Sequence, residues 1–190
     1  MAIKPILFNT EMVRAILDGR KSCTRRLPRK QIEEKYLEYD EWVQAVAVPG
    51  CTYLREKEFY TQYPPYRPGD ILYVRETFIQ AAAHTFWYKA DDNSWISEGL
   101  HWKPSIHMPK EAARIWLKVT DVRVERLQDM TDDDAEAEGC FDYTSTALGF
   151  PDVWDSTIKK SDRDRYGWEA NPWVWVIEFE RCEKPEEVRS

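Results

Sequence analysis

The chain has 190 residues, 43% apolar and 32% charged, with 34 acidic against 27 basic side chains and a formal charge of −7. That length carries one ordinary core and that composition excludes a disordered chain. The acidic balance disfavours broad, sequence-blind binding to a phosphate backbone, though not a local anion site.

No apolar run reaches 18 residues, so no membrane-spanning helix is expected. The opening MAIKPILFNT lacks the apolar run and small-residue cleavage site of a secretion signal. The cysteines, Cys23, Cys51, Cys140 and Cys182, are widely spaced with no C-x-x-C pair. His84, His101 and His107 form no metal pattern. The expectation is a reducing, cytoplasmic setting with free thiols, no metal and no other cofactor.

Residues 8–20, FNTEMVRAILDGR, predict a short helix. Asn9 or Thr10 caps it, Val13, Ile16 and Leu17 share a face, and Gly19 suits the left-handed position after the last turn. Of the twelve residues 19–30, six are basic (Arg20, Lys21, Arg25, Arg26, Arg29 and Lys30) and none is acidic. Cations are favoured at a helix C-terminus, which gives Arg20 and Lys21 an ordinary reason to be there. The rest of the cluster is either a solvated basic face or a site for a phosphate or carbonyl.

Residues 32–46 predict a helix with Ile32, Tyr36 and Tyr39 or Val43 in phase. Residues 49–66 read as irregular, with room for a short strand. Pro68-Gly69-Asp70 marks a turn, and Ile71–Glu76 a strand that ends in Arg75 and Glu76 on opposite faces of the pleat. In the irregular stretch 79–113, FWYKA reads as a strand, DDNSWISEG as a turn-rich tip, and HWKPSIHMPKEAA as a loop carrying Ser105 and His107. Ile115, Leu117 and Val119 then alternate with Trp116, Lys118 and Thr120, a long half-buried strand. TDDDAEAEG predicts a two-turn helix with a capping pair Thr131–Asp134, ending at Gly139. Residues 141–170 are part helical around GFPDVWDSTIKK, NPWVWVIEFER is the last strand, and the tail frays. Asn171, before Pro172, reads as a turn residue. Most of the nine tryptophans and ten tyrosines belong to packing. Trp87, Trp102 and Trp173 are candidates to stack on a flat ligand. The element order points to an α+β fold with a small barrel.

Four motifs in order carry a resemblance. G-R-K-x-x-T-x-R follows a short helix; P-G-D opens a hydrophobic strand; a long strand leads to T-x-x-x-A-x-x-E-G; and V-I-E-F closes the pattern. Together they resemble the ASCH family of the PUA-like superfamily, over residues 5–26, 68–76, 114–139 and 173–181. PSIHMP and NPWVWVIEFER resemble its phage and prophage branch. The resemblance implies a small mixed β-barrel flanked by short helices, a single domain over 1–182 with long insertions at about 27–65, 79–113 and 141–170, and a tail at 183–190. It also implies a cleft for RNA or a modified nucleoside. Family members that hydrolyse N4-acetylcytidine have a proposed catalytic lysine and threonine in the first motif and a glutamate ending the acidic helix. Those positions are Lys21, Thr24 and Glu138 here.

Amide hydrolysis needs a nucleophile, a base and a group that holds the oxyanion. Thr24 offers a hydroxyl. A lysine ammonium is a poor base unless burial strips its proton, and an adjacent carboxylate opposes that. If Lys21 and Glu138 pair tightly, Glu138 is the better base and Lys21 the better oxyanion holder; the alternative is Lys21 as the base. Arg25, Arg26, Arg75, Glu76, Ser105 and His107 are candidates to bind substrate. Three functions stay open: an amidohydrolase acting on an N-acylated base, a module that binds RNA or a modified base without chemistry, and a phage accessory or morphogenesis protein working through protein contacts.

Overall fold

The computed structural model describes residues 1–46, 52–91, 101–140 and 146–186. In chain order, strand β1 (Ile3–Leu7) leads into helix α1 (Thr10–Leu17), β2 (Cys23–Arg26), α2 (Lys30–Val46), α3 (Glu56–Thr61), β3 (Ile71–Arg75) and the hairpin β4 (Phe78–Ala82) and β5 (Thr85–Tyr88). Then come β6 (Trp116–Arg126), α4 (Asp132–Ala137), α5 (Thr146–Thr157), α6 (Arg163–Tyr166) and β7 (Trp173–Cys182). Five strands form one mixed sheet in the order β1-β3-β6-β7-β2. β1 and β3 run parallel; the other neighbours are antiparallel.

The central pair, β6 and β7, reflects its sequence. In β7 every residue from Val174 to Ile177 is buried, as a strand covered on both faces requires. Trp175, Ile177 and Phe179 pack with α1 and α3 in one core. Val174 and Val176 face a second, with Phe150 and Trp154 of α5 and Ala135 of α4. β6 carries a register shift between Val119 and Asp121. The inward set consequently jumps from Leu117 and Val119 to Val124.

The expected β-barrel does not form: among the described residues no sheet closes on itself, and β1 and β2 remain opposite edges of an open sheet. Both edges are only four or five residues long. What crosses the gap is a side chain: Arg26 Nη2 donates to the Leu7 carbonyl at 2.7 Å. That opening positions the site.

Two edge strands carry little signal in the sequence. β1 is short and only Ile6 within it is buried. β2 reads as a basic turn, yet Cys23, Thr24 and Arg25 are all buried. Residues 56–61, expected to be irregular with a short strand, are the helix α3, where Glu58 accepts from the Arg55 backbone N–H at 2.7 Å and Phe59 and Tyr60 turn inward. The tip expected at 91–99 lies almost wholly outside the described residues.

Candidate functional site in the gap between the edge strands

Lys21 is placed by backbone hydrogen bonds on both sides of it. α1 is capped by Asn9, whose side chain accepts from Met12 N–H at 2.9 Å, and it stops at Gly19 with φ +75°. The Lys21 N–H then bonds the Ala15 carbonyl at 3.0 Å, and Ser22 N–H bonds the Ala137 carbonyl at 2.9 Å. This last bond ties the end of α1 to the end of α4. The α4 start is the predicted capping pair: Thr131 Oγ1 accepts from Asp134 N–H and Asp134 Oδ2 accepts from Thr131 N–H. Glu138 is its C-terminal cap residue. Gly139 follows with φ +90°, and a Cβ there would stand 2.9 Å from Ala15 Cβ and 3.4 Å from Lys21 Cβ. Only a glycine lets α4 approach this closely.

Lys21 Nζ donates to Glu138 Oε2 at 2.6 Å and to the Glu138 carbonyl at 2.8 Å. The two side chains are 1% and 7% exposed. Arg25 is fully buried, with Nη1 3.5 Å from Glu138 Oε1 and Nη2 3.4 Å from Asp134 Oδ2. Its Nε and Nη2 have no hydrogen-bond partner. One carboxylate thus sits between two buried cations. Thr24, buried on β2, makes no hydrogen bond through its hydroxyl among the described residues.

Lys21, Thr24, Arg25, Arg26 and Glu138 line one cavity of about 100 Å³. Its apolar wall includes Phe8, Met12, Cys140, Phe150 and Trp154. Lys21 Nζ and the Arg26 guanidinium lie 5.5 and 5.2 Å from the centroid of the Phe8 ring. Burial, reinforced by the Glu138 charge, pushes the Cys23 thiol up to about 12, and burial raises Cys140 as well. Neither sulfur is a thiolate nucleophile at neutral pH. The oxygen groups and the two cations carry the chemistry available here: holding a carbonyl oxygen and moving a proton to or from a group beside it.

The other expected site residues lie elsewhere. Arg75 Nη2 donates to the Ile106 carbonyl and so fastens the turn at 105–107 that holds Ser105 and His107. Glu76, 1% exposed, takes both oxygens to Arg114, at 2.9 and 3.1 Å. Burial raises the Glu76 pKa against the pull of Arg114. None of Arg75, Glu76, Ser105 and His107 lines the Lys21 cavity, nor do Trp87, Trp102 and Trp173. Trp173 donates to Glu56 at 2.7 Å and stacks under Arg126. Asn171 is the turn residue its position before Pro172 predicts, with φ +46° and its side-chain oxygen accepting from Gln128 N–H.

Sequence reasoning missed the apolar wall and a larger cavity beside it. That groove, about 700 Å³, shares Leu7 and Arg26 with the small cavity. The residues before Pro68 supply much of it, and nothing in their pattern marks them as facing β1. Among the described residues no group of three or more His, Cys, Asp and Glu side chains could hold a metal ion, and no helix is long and apolar enough to cross a membrane.

No family model matches the chain, and no curated protein matches it. Two solved structures are distantly similar. One is an ASCH domain from Lactobacillus crispatus JV V101, 11% identical over 95% of this chain and 79% of that one, with a TM-score of 0.47. The other is a hypothetical protein, 15% identical over 96% of this chain and 100% of that one, with a TM-score of 0.45.

Proposed function

We propose that the protein is an ASCH-type domain that takes the acylated base of a nucleoside or RNA nucleotide into the Lys21 cavity and hydrolyses the acyl group from the exocyclic nitrogen. The observation that carries this reading is the convergence of three groups distant in sequence. An ammonium, a carboxylate and a hydroxyl without a hydrogen-bond partner among the described residues line one small cavity. In this reading Lys21 Nζ holds the carbonyl oxygen as charge develops on it. Glu138 takes a proton from water as the new C–O bond forms, and returns it to the departing amine as the C–N bond breaks. Thr24 orients the water; or it attacks first, its hydroxyl proton passing through Glu138 to the departing amine, and water activated by Glu138 then releases the acyl group from Thr24 Oγ1 as the acid. The tight Lys21–Glu138 pair favours the carboxylate as base over the lysine.

The test is incubation with N4-acetylcytidine, free and within a short RNA, with chromatography for the deacetylated product. Turnover by the wild type and its loss in Lys21→Ala and Thr24→Val support the proposal. Turnover that both variants retain rejects this site. A second reading, a binding module without chemistry, draws on the same closed pair, since Lys21 already spends two donors on Glu138. Binding without turnover selects it.

A further inference from the structure

The groove of about 700 Å³ beside the cavity has an unusual lining for an acidic chain. Its basic residues are Lys4, Arg26, Arg29 and Arg67, and none of its lining residues is Asp or Glu. Lys4 is already engaged, with Nζ 2.9 Å from Asp70 Oδ2 and 3.2 Å from the Pro65 carbonyl. The guanidinium groups of Arg26, Arg29 and Arg67 form no ion pair with any described carboxylate, and Arg29 and Arg67 are exposed. In a protein of net charge −7, such charges ordinarily find acidic partners. Three left unpaired around one concavity make a local positive field.

The groove also has flat walls. Tyr63 is 37% exposed. Tyr66 donates its hydroxyl to the Pro5 carbonyl at 2.9 Å, which holds its ring beside Lys4. Most of this wall comes from the long connection between β2 and β3. Arg26 and Leu7 line both spaces, so the two adjoin at the pair joined by the 2.7 Å hydrogen bond, and the flank of a ligand whose base fills the small cavity lies beside the groove. The small cavity alone is below the size that encloses an ordinary organic ligand, whereas the groove is within it.

We infer that the groove binds the phosphate-bearing flank of the ligand, so that the protein acts on a nucleotide within a single strand rather than on a free nucleoside. This rests on the reading that a base enters the Lys21 cavity. Arg29 and Arg67 meet phosphodiester oxygens, Arg26 stands at the junction between base and backbone, and Tyr63 and Tyr66 offer rings to a neighbouring base or ribose. The acidic remainder of the surface restricts binding to a few nucleotides, because it repels a longer strand.

The experiment measures affinity by competition against a labelled strand. The probes are N4-acetylcytidine, its 5′-monophosphate, a cytidine trinucleotide with the central base acetylated, the same trinucleotide unmodified, and deoxyribose versions of both trinucleotides. Each is tested on the wild type and on Arg29→Ala/Arg67→Ala, whose exposed side chains leave folding intact. The expected result is binding of the acetylated trinucleotide at least tenfold tighter than of the nucleoside, with that preference falling toward parity in the variant. The salt dependence flattens by about 0.7 log units per log unit of salt for each phosphate that the variant no longer neutralises. Equal affinity of wild type for nucleoside and trinucleotide overturns the inference, as does a preference unchanged in the variant. Weakened unmodified-trinucleotide binding in the variant, with no gain from acetylation in wild type, keeps the groove as a strand site and rejects the acyl-base reading instead. The ribose and deoxyribose arms decide which strand it takes.

Discussion

Replacing Lys21 by Met preserves an unbranched chain and removes the ammonium. The Glu138 carboxylate, 7% exposed, then loses its 2.6 Å partner and keeps only Arg25, at 3.5 Å. Removing one member of a buried ion pair costs about 3–5 kcal/mol, and the residual Arg25 interaction places this variant near the lower end. Glu138→Leu strands the ammonium instead, although the Glu138 carbonyl still accepts from Nζ at 2.8 Å. In the double variant neither charge is left, and Arg25 retains Asp134 at 3.4 Å and Glu125 at 3.8 Å. Its cost falls well short of the sum, with a coupling of at least about 2 kcal/mol. Urea unfolding of all four proteins at one pH measures the cycle, and melting of each single variant falls by on the order of 10 °C. The double variant, refolded but without the pair, captures no ligand. Single costs that add to within about 0.5 kcal/mol refute the buried pair, and ligand capture by the double variant refutes its function.

Gly139→Ala puts a Cβ 2.9 Å from Ala15 Cβ at φ +90°, so unfolding measurements show a loss of about 1–3 kcal/mol and the displaced Lys21 weakens ligand binding; a neutral substitution contradicts the close approach. Asp70 accepts from Ala2 N–H, Lys4 Nζ and Arg67 N–H, at 2.8, 2.9 and 3.1 Å. Burial works to raise its pKa, but Lys4 and the backbone donors outweigh that and hold it below the usual carboxylate range. Its stabilisation is therefore present above the unfolded pKa of about 4 and is lost as pH falls through the lower folded value. Asp70→Asn costs about 1–3 kcal/mol at neutral pH, and the gap to wild type closes in acid; a gap that stays constant from about pH 7 to about pH 2 refutes the assignment. Arg114→Ala strands the buried Glu76 and costs about 3–5 kcal/mol by urea unfolding, yet leaves ligand capture at the Lys21 cavity within about threefold, as expected of a pair that does not line that cavity.

Local pattern was legible where a residue's role depended on its near neighbours. A cap at Asn9 or Thr10, the Gly19 stop, the Thr131–Asp134 capping pair and the existence of the last strand follow from local pattern, whereas its alternation did not foretell that Val174 to Ile177 are all buried. The Lys21, Thr24 and Glu138 trio came from motif resemblance, and the three do line one cavity. β1 and β2 were illegible because a short edge strand has little periodicity and is defined by a partner far along the chain. The phase slip in β6 was written in the sequence as Leu117 and Val119 giving way to Val122 and Val124, a bulge signature that simple alternation hides.

The sequence by itself determined the ends of α1 and α4, the central strands β3, β6 and β7, and the supply of an ammonium, a hydroxyl and a carboxylate, because each depends on residue type and on neighbours within a turn or a pleat. Only the tertiary structure decided that the sheet stays open and that Arg26 spans its edges. It also decided that Arg75 and Glu76 brace a different region, and that the β2–β3 connection walls a basic groove beside the cavity. The physical reason is that those outcomes are set by which edges meet across long stretches of chain, as β1 meets β3, and no local preference encodes a meeting at that distance.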